Sequence, residues 1–324
     1  MARYLSQPNE VVFTTPATLQ GARFYALAYL ARVDRLQAWC NRYLNLPGSP
    51  VRFRPFEVLG QGFVMATFVD IGHATPADPS IGWTREKDLA FWLPLQERDD
   101  QAVPTWAVPF LYVDQPHGVA MGREIYGLPK CPASFTLSPP ADWPDLMEAR
   151  VWAPDPITAE WTGGHSLMSL RKPSLTATVA DLISALVRDG NVEVDGESRS
   201  ARGLFSGVED PAQVLERIGR IFDEVMGFLQ NPAVSLVLLK QFRSAQEPEH
   251  ACYQSLLRAR ATLSRLDVDA VPRLYRHRLQ DLDTHPIPPV LGLLAGLPFM
   301  EVRRLSCDFT LELGVEFWRN GQPV

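Results

Sequence analysis

Short apolar segments, each interrupted by proline or glycine, dominate this chain and leave little room for long helices. Residues 89 to 95 read LAFWLPL and residues 105 to 113 read TWAVPFLYV. Both are too apolar for surface loops, and both carry a proline, which a helix interior rejects and an edge or bulged strand accepts. Proline (28) outnumbers glycine (21), and together they make 49 of 324 residues. That is about 15%, against roughly 12% in an average soluble chain. The text is turn-rich and β-rich.

Residues Val11 to Ala31 alternate and are aromatic, so they read as a half-buried strand. A helix follows, with Leu30, Val33, Leu36, Cys40, Tyr43 and Leu44 at steps of three and four, stopped at Leu46-Pro47-Gly48. Phe56 to Val69, Leu89 to Leu95 and Thr105 to Val113 are expected strands, with a turn over Asp114 to Gly118. Helical periodicity returns at Thr178 to Arg188 and Asp210 to Leu229, separated by a hydrophilic loop or short hairpin over Asn191 to Arg202. Leu236 to Phe242 and Tyr253 to Ala261 read as a strand pair, and Phe299 to Trp318 as two closing strands.

With 46% hydrophobic residues the chain can bury a large core, in one elaborated domain or two modest ones. A net charge of -6 and the lack of any dense basic block argue against nucleic acid. Cys40, Cys131, Cys252 and Cys307 form no CxxC pair, and the six histidines no HxH or HxxxH pair, so neither a disulfide framework nor a metal site is expected. No phosphate-cradling glycine motif occurs, so no cofactor is expected. The polar amino terminus and the lack of an apolar run of about 18 residues lead to the expectation of a soluble cytoplasmic protein that contacts no membrane.

Lysine is scarce. Of 31 basic residues only Lys87, Lys130, Lys172 and Lys240 are lysine, leaving 31 - 4 = 27 arginines. An amine among apolar residues can do what a guanidinium cannot: lose its proton and attack a carbonyl. Lys130 stands between Pro129 and Cys131-Pro132, with Leu128 and Phe135 on either side, so it is presented from a rigid kink. Burial alone would lower its pKa from about 10.4 toward neutrality, leaving a nucleophilic amine. Arg123, seven positions earlier, could lower it further, while Glu124 could oppose it or pair with Arg123. A solvated loop lysine is the plainer alternative.

The passage GREIYGLPK at 122 to 130 closely resembles the signature of the acetoacetate decarboxylase family, where a strand ending Gly-Arg-Glu precedes a turn, a proline and the imine-forming lysine. That family is itself the standard illustration of a lysine activated by desolvation or a neighbouring cation. PFLYVD at 109 to 114 and the closing segment 287 to 318 extend the resemblance, which covers roughly residues 20 to 140 and 235 to 318. It implies an α+β fold: a mainly antiparallel, cone-like β-barrel with peripheral helices, in a single domain over 1–324 with a helical insertion at about 155–235. A homo-oligomer is also implied.

By the same resemblance Lys130 would be the Schiff-base residue and Glu86 the acid near the pocket mouth, an exposed loop carboxylate being the alternative for Glu86. Arg23 or Arg123 would hold a substrate carboxylate, with Glu124, Tyr126 and Leu128 completing the substrate site. The arginine match is off by one residue at Arg23, and one residue reverses the face of a strand. Two departures stand out. Cys131 replaces a second lysine, as a buried spacer or a second nucleophile, and Val64 stands where the family has an acid. The expected function is a cofactor-free Schiff-base lyase acting on a small keto acid, most simply a β-keto acid decarboxylase. The alternatives are an aldolase or dehydratase using the same imine, and a non-catalytic small-molecule binder on the same fold.

Overall fold

The computed structural model describes residues 4–5, 14–58, 60–98, 105–139, 142–153, 164–173, 191–194, 197–200, 220, 223, 227, 233–269, 271–294 and 299–324. Its first half contains β1 (Ala17–Ala31), α1 (Val33–Tyr43), β2 (Phe53–Pro55), β3 (Glu57–Val58), β4 (Gln61–Thr75), β5 (Thr84–Glu97), β6 (Thr105–Val113), α2 (Pro116–Met121), β7 (Lys130–Leu137) and β8 (Leu146–Val151). The second half contains β9 (His165–Arg171), β10 (Asn191–Val194), β11 (Glu197–Ser200), β12 (Ala233–Arg243), β13 (Ala251–Val268), β14 (Arg273–Leu279), α3 (Ile287–Leu291), β15 (Phe299–Leu311), β16 (Val315–Arg319) and β17 (Gln322–Pro323).

Most expected elements fall close to their places. The two hydrophilic strands β10 and β11 pair as a hairpin, and β12 pairs with β13 along its whole length. The expected helices at 178–188 and 210–229, and with them most of the 155–235 insertion, lie outside the described residues. One expectation fails clearly. The stretch read as a turn and then a strand ending Gly-Arg-Glu is helical: α2 runs on into a single wide π turn over Gly122–Tyr126. Pro116 presets the first helical turn, and Gly127 in the left-handed region (φ 73°) ends the helical run. His277 and His285, both partly exposed, hydrogen-bond Tyr29 and Tyr112, and His285 closes a tight turn from Leu282.

Nearly all described strands join one large sheet, antiparallel except where β6 meets β12 and β7. Two closed circuits of pairing share a wall made of β15, β1, β4, β5 and β6. One circuit leaves β6 through its first residues to β12, passes to β13 and returns to β15. The other leaves β6 through its last residues to β7, then runs through β8, β9 and β14 back to β15.

Because successive side chains on a strand face opposite ways, the shared wall supplies two interiors. On β1, Tyr25, Leu27 and Tyr29 pack into the second circuit, while Ala22, Phe24 and Ala26 face the first. On β4 the division is Val64, Ala66 and Phe68 against Phe63, Met65 and Val69; on β5 it is Leu89, Phe91 and Leu93 against Ala90. The second interior is filled, with Trp143 and Tyr275 stacked at its end. The first is hollow.

Candidate active site

The hollow encloses about 150 Å³ and is lined from β1, β4, β5, β6, β12, β13 and β15, with α2 and the segment leading into β7 along one side. Its wall is mostly aliphatic and aromatic; Lys130, Glu86 and Asp88 are grouped at that side, and Thr67, Thr75 and Cys307 are the other polar residues of the lining. Lys130 opens β7, and its backbone pairs with Leu111 of β6. Its side chain lies inside, with the residue 5% exposed, and Nζ donates to Glu86 Oε1 at 2.6 Å. Glu86 is equally buried, an interior residue of β5 and not an exposed loop carboxylate.

Two residues further along β5, Asp88 faces the same way and lines the same cavity. The Glu86 and Asp88 carboxyls thus share one buried polar corner and act on each other as like charges. Asp88 Oδ1 is buried without a hydrogen-bond partner. Burial first, and then the like charge of Glu86, push the Asp88 carboxyl well above the usual carboxylate range.

The lysine departs from the sequence expectation of a depressed pKa. Burial acts to lower it, but the Glu86 and Asp88 carboxylates together outweigh burial and hold the amine above its ordinary value. Glu86, in direct contact with Nζ, is the nearer counter-charge. The site thus sets one amine beside two carboxyls, and Asp88 is the one that burial and its neighbour drive toward the neutral form.

Two glycines allow this packing. A Cβ on Gly118 would lie 2.1 Å from a Glu86 carboxylate oxygen, and one on Gly122 would lie 2.5 Å from Lys130 Cδ. The two glycines are four residues apart, so the helical run presents one bare strip of backbone to the ion pair. This close approach is the physical reason for Gly122 in the GREIYGLPK passage.

The other residues singled out from the sequence are placed less uniformly. Leu128 lines the cavity. Tyr126 is buried, and its hydroxyl donates to the Glu312 carbonyl at 2.9 Å, which ties the π turn to the end of β15 and not to the lysine. Arg123 and Glu124 are exposed, and Arg123 borders a separate outer groove with Trp39, Phe110 and Cys131. Arg23 pairs with Asp70 at 2.6 Å on the face of β1 that carries Tyr25; the neighbour that lines the hollow is Phe24. Val64 likewise faces the filled interior, and its neighbour Met65 is on the cavity side of β4. Strand parity explains the displacement of Arg23 and Val64, whereas Arg123, Glu124 and Tyr126 belong to the π turn. Asp88 was not singled out from sequence, although its position two residues beyond Glu86 in an alternating segment was the available signal.

No protein-family model and no curated protein sequence matches the chain. Solved structures do match. An acetoacetate decarboxylase from Legionella pneumophila superposes with a TM-score of 0.55 at 14% identity, covering 99% of this chain and 92% of the other. A second acetoacetate decarboxylase gives 0.55 at 10% identity, covering 98% and 96%. The chain has the acetoacetate decarboxylase-like fold. A third neighbour with the acetoacetate decarboxylase-like fold is the enduracididine biosynthesis enzyme MppR, solved with the condensation product of pyruvate and imidazole 4-carboxaldehyde. It superposes at 0.54 with 12% identity, covering 95% of this chain and 92% of MppR. Among the described residues of this acetoacetate decarboxylase-like chain no cluster of histidine, cysteine, aspartate and glutamate could hold a metal ion, and no helix is long and apolar enough to cross a membrane.

Proposed function

We propose that the chain is a cofactor-free lyase in which Lys130 captures a small carbonyl substrate as a Schiff base. The observation that carries this reading is one buried amine, hydrogen-bonded to a carboxylate and opening onto an otherwise apolar hollow. The likeness to decarboxylases and to MppR supports the same class of chemistry. In this reading the first circuit of strands serves as the cone-like barrel around the substrate.

Glu86 takes a proton from the Lys130 ammonium across their hydrogen bond, and the free amine attacks the carbonyl carbon. The resulting carbinolamine loses its oxygen as water. Nitrogen gives up two protons in all, and both leave with that oxygen. Asp88, two residues from Glu86 on the same face of β5, is placed to hand the second proton to the departing hydroxyl and to be resupplied by Glu86. The protonated imine keeps the single positive charge the ammonium had, so Glu86 still balances it.

A bond beside the imine carbon then breaks, its electron pair passing to nitrogen as an enamine forms. Protonation of the enamine carbon restores the imine, and water releases the product. The apolar wall, Leu128 included, keeps bulk water from quenching the enamine.

Borohydride reduces an imine to a stable secondary amine and so tests the reading directly. With a carbonyl substrate present, peptide mapping is expected to find the adduct at Lys130. Lys130→Met is expected to lower labelling by roughly a thousandfold or more, because no other group at the site can form the bond. Equal labelling of Lys130→Met, or ligand binding with no adduct in the parent chain, would favour the non-catalytic binder.

A further inference from the structure

The charges around the hollow narrow the substrate, on the reading that Lys130 forms an imine there. Among the described residues lining the hollow, the charged or acidic groups are Lys130, Glu86 and Asp88, and no arginine is among them. The other polar groups are occupied or neutral. Thr67 accepts a hydrogen bond from Trp92 Nε1 at 2.8 Å, and burial pushes the Cys307 thiol up to about 12, so it stays uncharged. Both arginines expected to receive a carboxylate lie elsewhere: Arg23 is paired with Asp70 on the opposite face of β1, and Arg123 borders the outer groove.

The single cation is therefore already matched by Glu86. A keto acid would bring a second full negative charge into the same dry volume, beside Glu86 and Asp88, with no further cation among the described lining residues to meet it. After imine formation the balance is unchanged, since the iminium again carries one positive charge. We propose that this chamber is built for an uncharged ketone or aldehyde with an apolar tail, and that it turns away keto acids. The reactions open to such a substrate are making or breaking a carbon-carbon bond beside the carbonyl, and loss of water from a β-hydroxy ketone. In the dehydration, Glu86 removes the proton next to the iminium carbon to give the enamine. The enamine pair then expels the β-hydroxyl, which leaves as water with a proton from Asp88.

Two probes separate the possibilities. Acetoacetate and methyl isobutyl ketone share a methyl-ketone head and differ in carrying a carboxylate or an isopropyl end of about the same size. The full chain is incubated with each at equal concentration with borohydride, and the Lys130 adduct is measured by peptide mass. Methyl isobutyl ketone is expected to label Lys130 roughly 100-fold more efficiently, the scale set by burying an unmatched charge. Glu86→Gln removes the resident carboxylate charge and is expected to narrow that ratio by roughly tenfold, whatever it does to labelling overall. Equal or better labelling by acetoacetate, with its carboxylate kept or lost in the adduct, overturns the substrate assignment and leaves the imine reading standing. Absence of any Lys130 adduct with either probe overturns the imine reading and the substrate class with it.

Discussion

The two interiors on either side of the shared wall are built from the same strands and could hardly differ more. Facing β7, β8, β9 and β14, the wall presents Tyr25, Phe68, Phe91 and Tyr112, and the space is closed by side chains. Facing β12 and β13, it presents Ala22, Ala26 and Ala90 among larger residues, and a hollow remains. The buried Lys130, Glu86 and Asp88 open onto the hollow. A buried charged group costs least where its partners are also buried and a ligand can occupy the space beside it. A closed aromatic interior offers neither. The contrast shows that alternation along a strand can build a stable core and a reaction chamber at once.

Lys130 itself apart, the largest effect is expected where a helix backbone meets the ion pair. Gly118→Ala places a methyl carbon on the Glu86 carboxylate. It is expected to lower borohydride trapping at Lys130 by roughly 100-fold or more, since misplacing catalytic groups by an ångström costs about that much. A circular dichroism spectrum matching the parent would show that the strands remain.

The difference between filled and hollow sides is tested by adding the same methyl groups to each. Ala66→Val, on the filled face of β4, is expected to cost about 1–3 kcal/mol in urea unfolding through overpacking. Ala90→Val, on the cavity face of β5, is expected to cost less than about 1 kcal/mol, because the hollow takes the added volume. Equal losses would mean that the hollow is closed in solution.

Asp88 gives a pH signature. Its carboxyl is held above the usual range, so the folded chain keeps a proton that the unfolded chain releases. The stability it allows is therefore present in acid and declines as pH rises above the ordinary carboxylate value, by about 1.4 kcal/mol per unit until the folded-state value is reached. Asp88→Asn, which has no such proton to retain, is expected to be more stable than the parent at about pH 7 and nearly level with it near pH 4. Urea unfolding at both pH values checks this, and a parent chain that gains stability over the same interval relative to the variant would refute it.

Lys87 provides the smallest effect and the control. Its amine lies 3.6 Å from Asp114 with both side chains partly in water. Lys87→Gln is expected to change stability by less than about 1 kcal/mol and to leave trapping at Lys130 unaltered. Any large loss of labelling would show that the hollow depends on charges outside it.

Much of this architecture was legible in the text of the chain. The run TWAVPFLYV forms a strand with the bounds expected, and the closing segment divides into two strands where the polar residues before Gly314 fall. Lys130 and Glu86 were identified together, although they are 44 residues apart and their pairing is tertiary. The misplaced residues share one cause. Arg23 and Val64 each sit one position from a residue that faces the hollow, an error that leaves the strand assignment intact and inverts the side chain. The helical run from Pro116 was missed because its apolar residues are few and its glycines discourage helix. Those glycines serve contact with the ion pair, which local propensity does not record.

What the chain fixes on its own is local: which segments alternate, where proline and glycine stop them, and that one scarce lysine is held at a kink between prolines. Which face of each strand became a filled core and which a hollow was decided by ring closure, through the pairing of β6 with β12 and of β13 with β15. Those pairings join residues far apart in sequence, and they alone determine whether space remains beside Lys130. The lysine's charge state follows the same rule. Burial read locally would neutralise it, whereas two carboxyls on β5, one strand beyond β6, hold its proton in place.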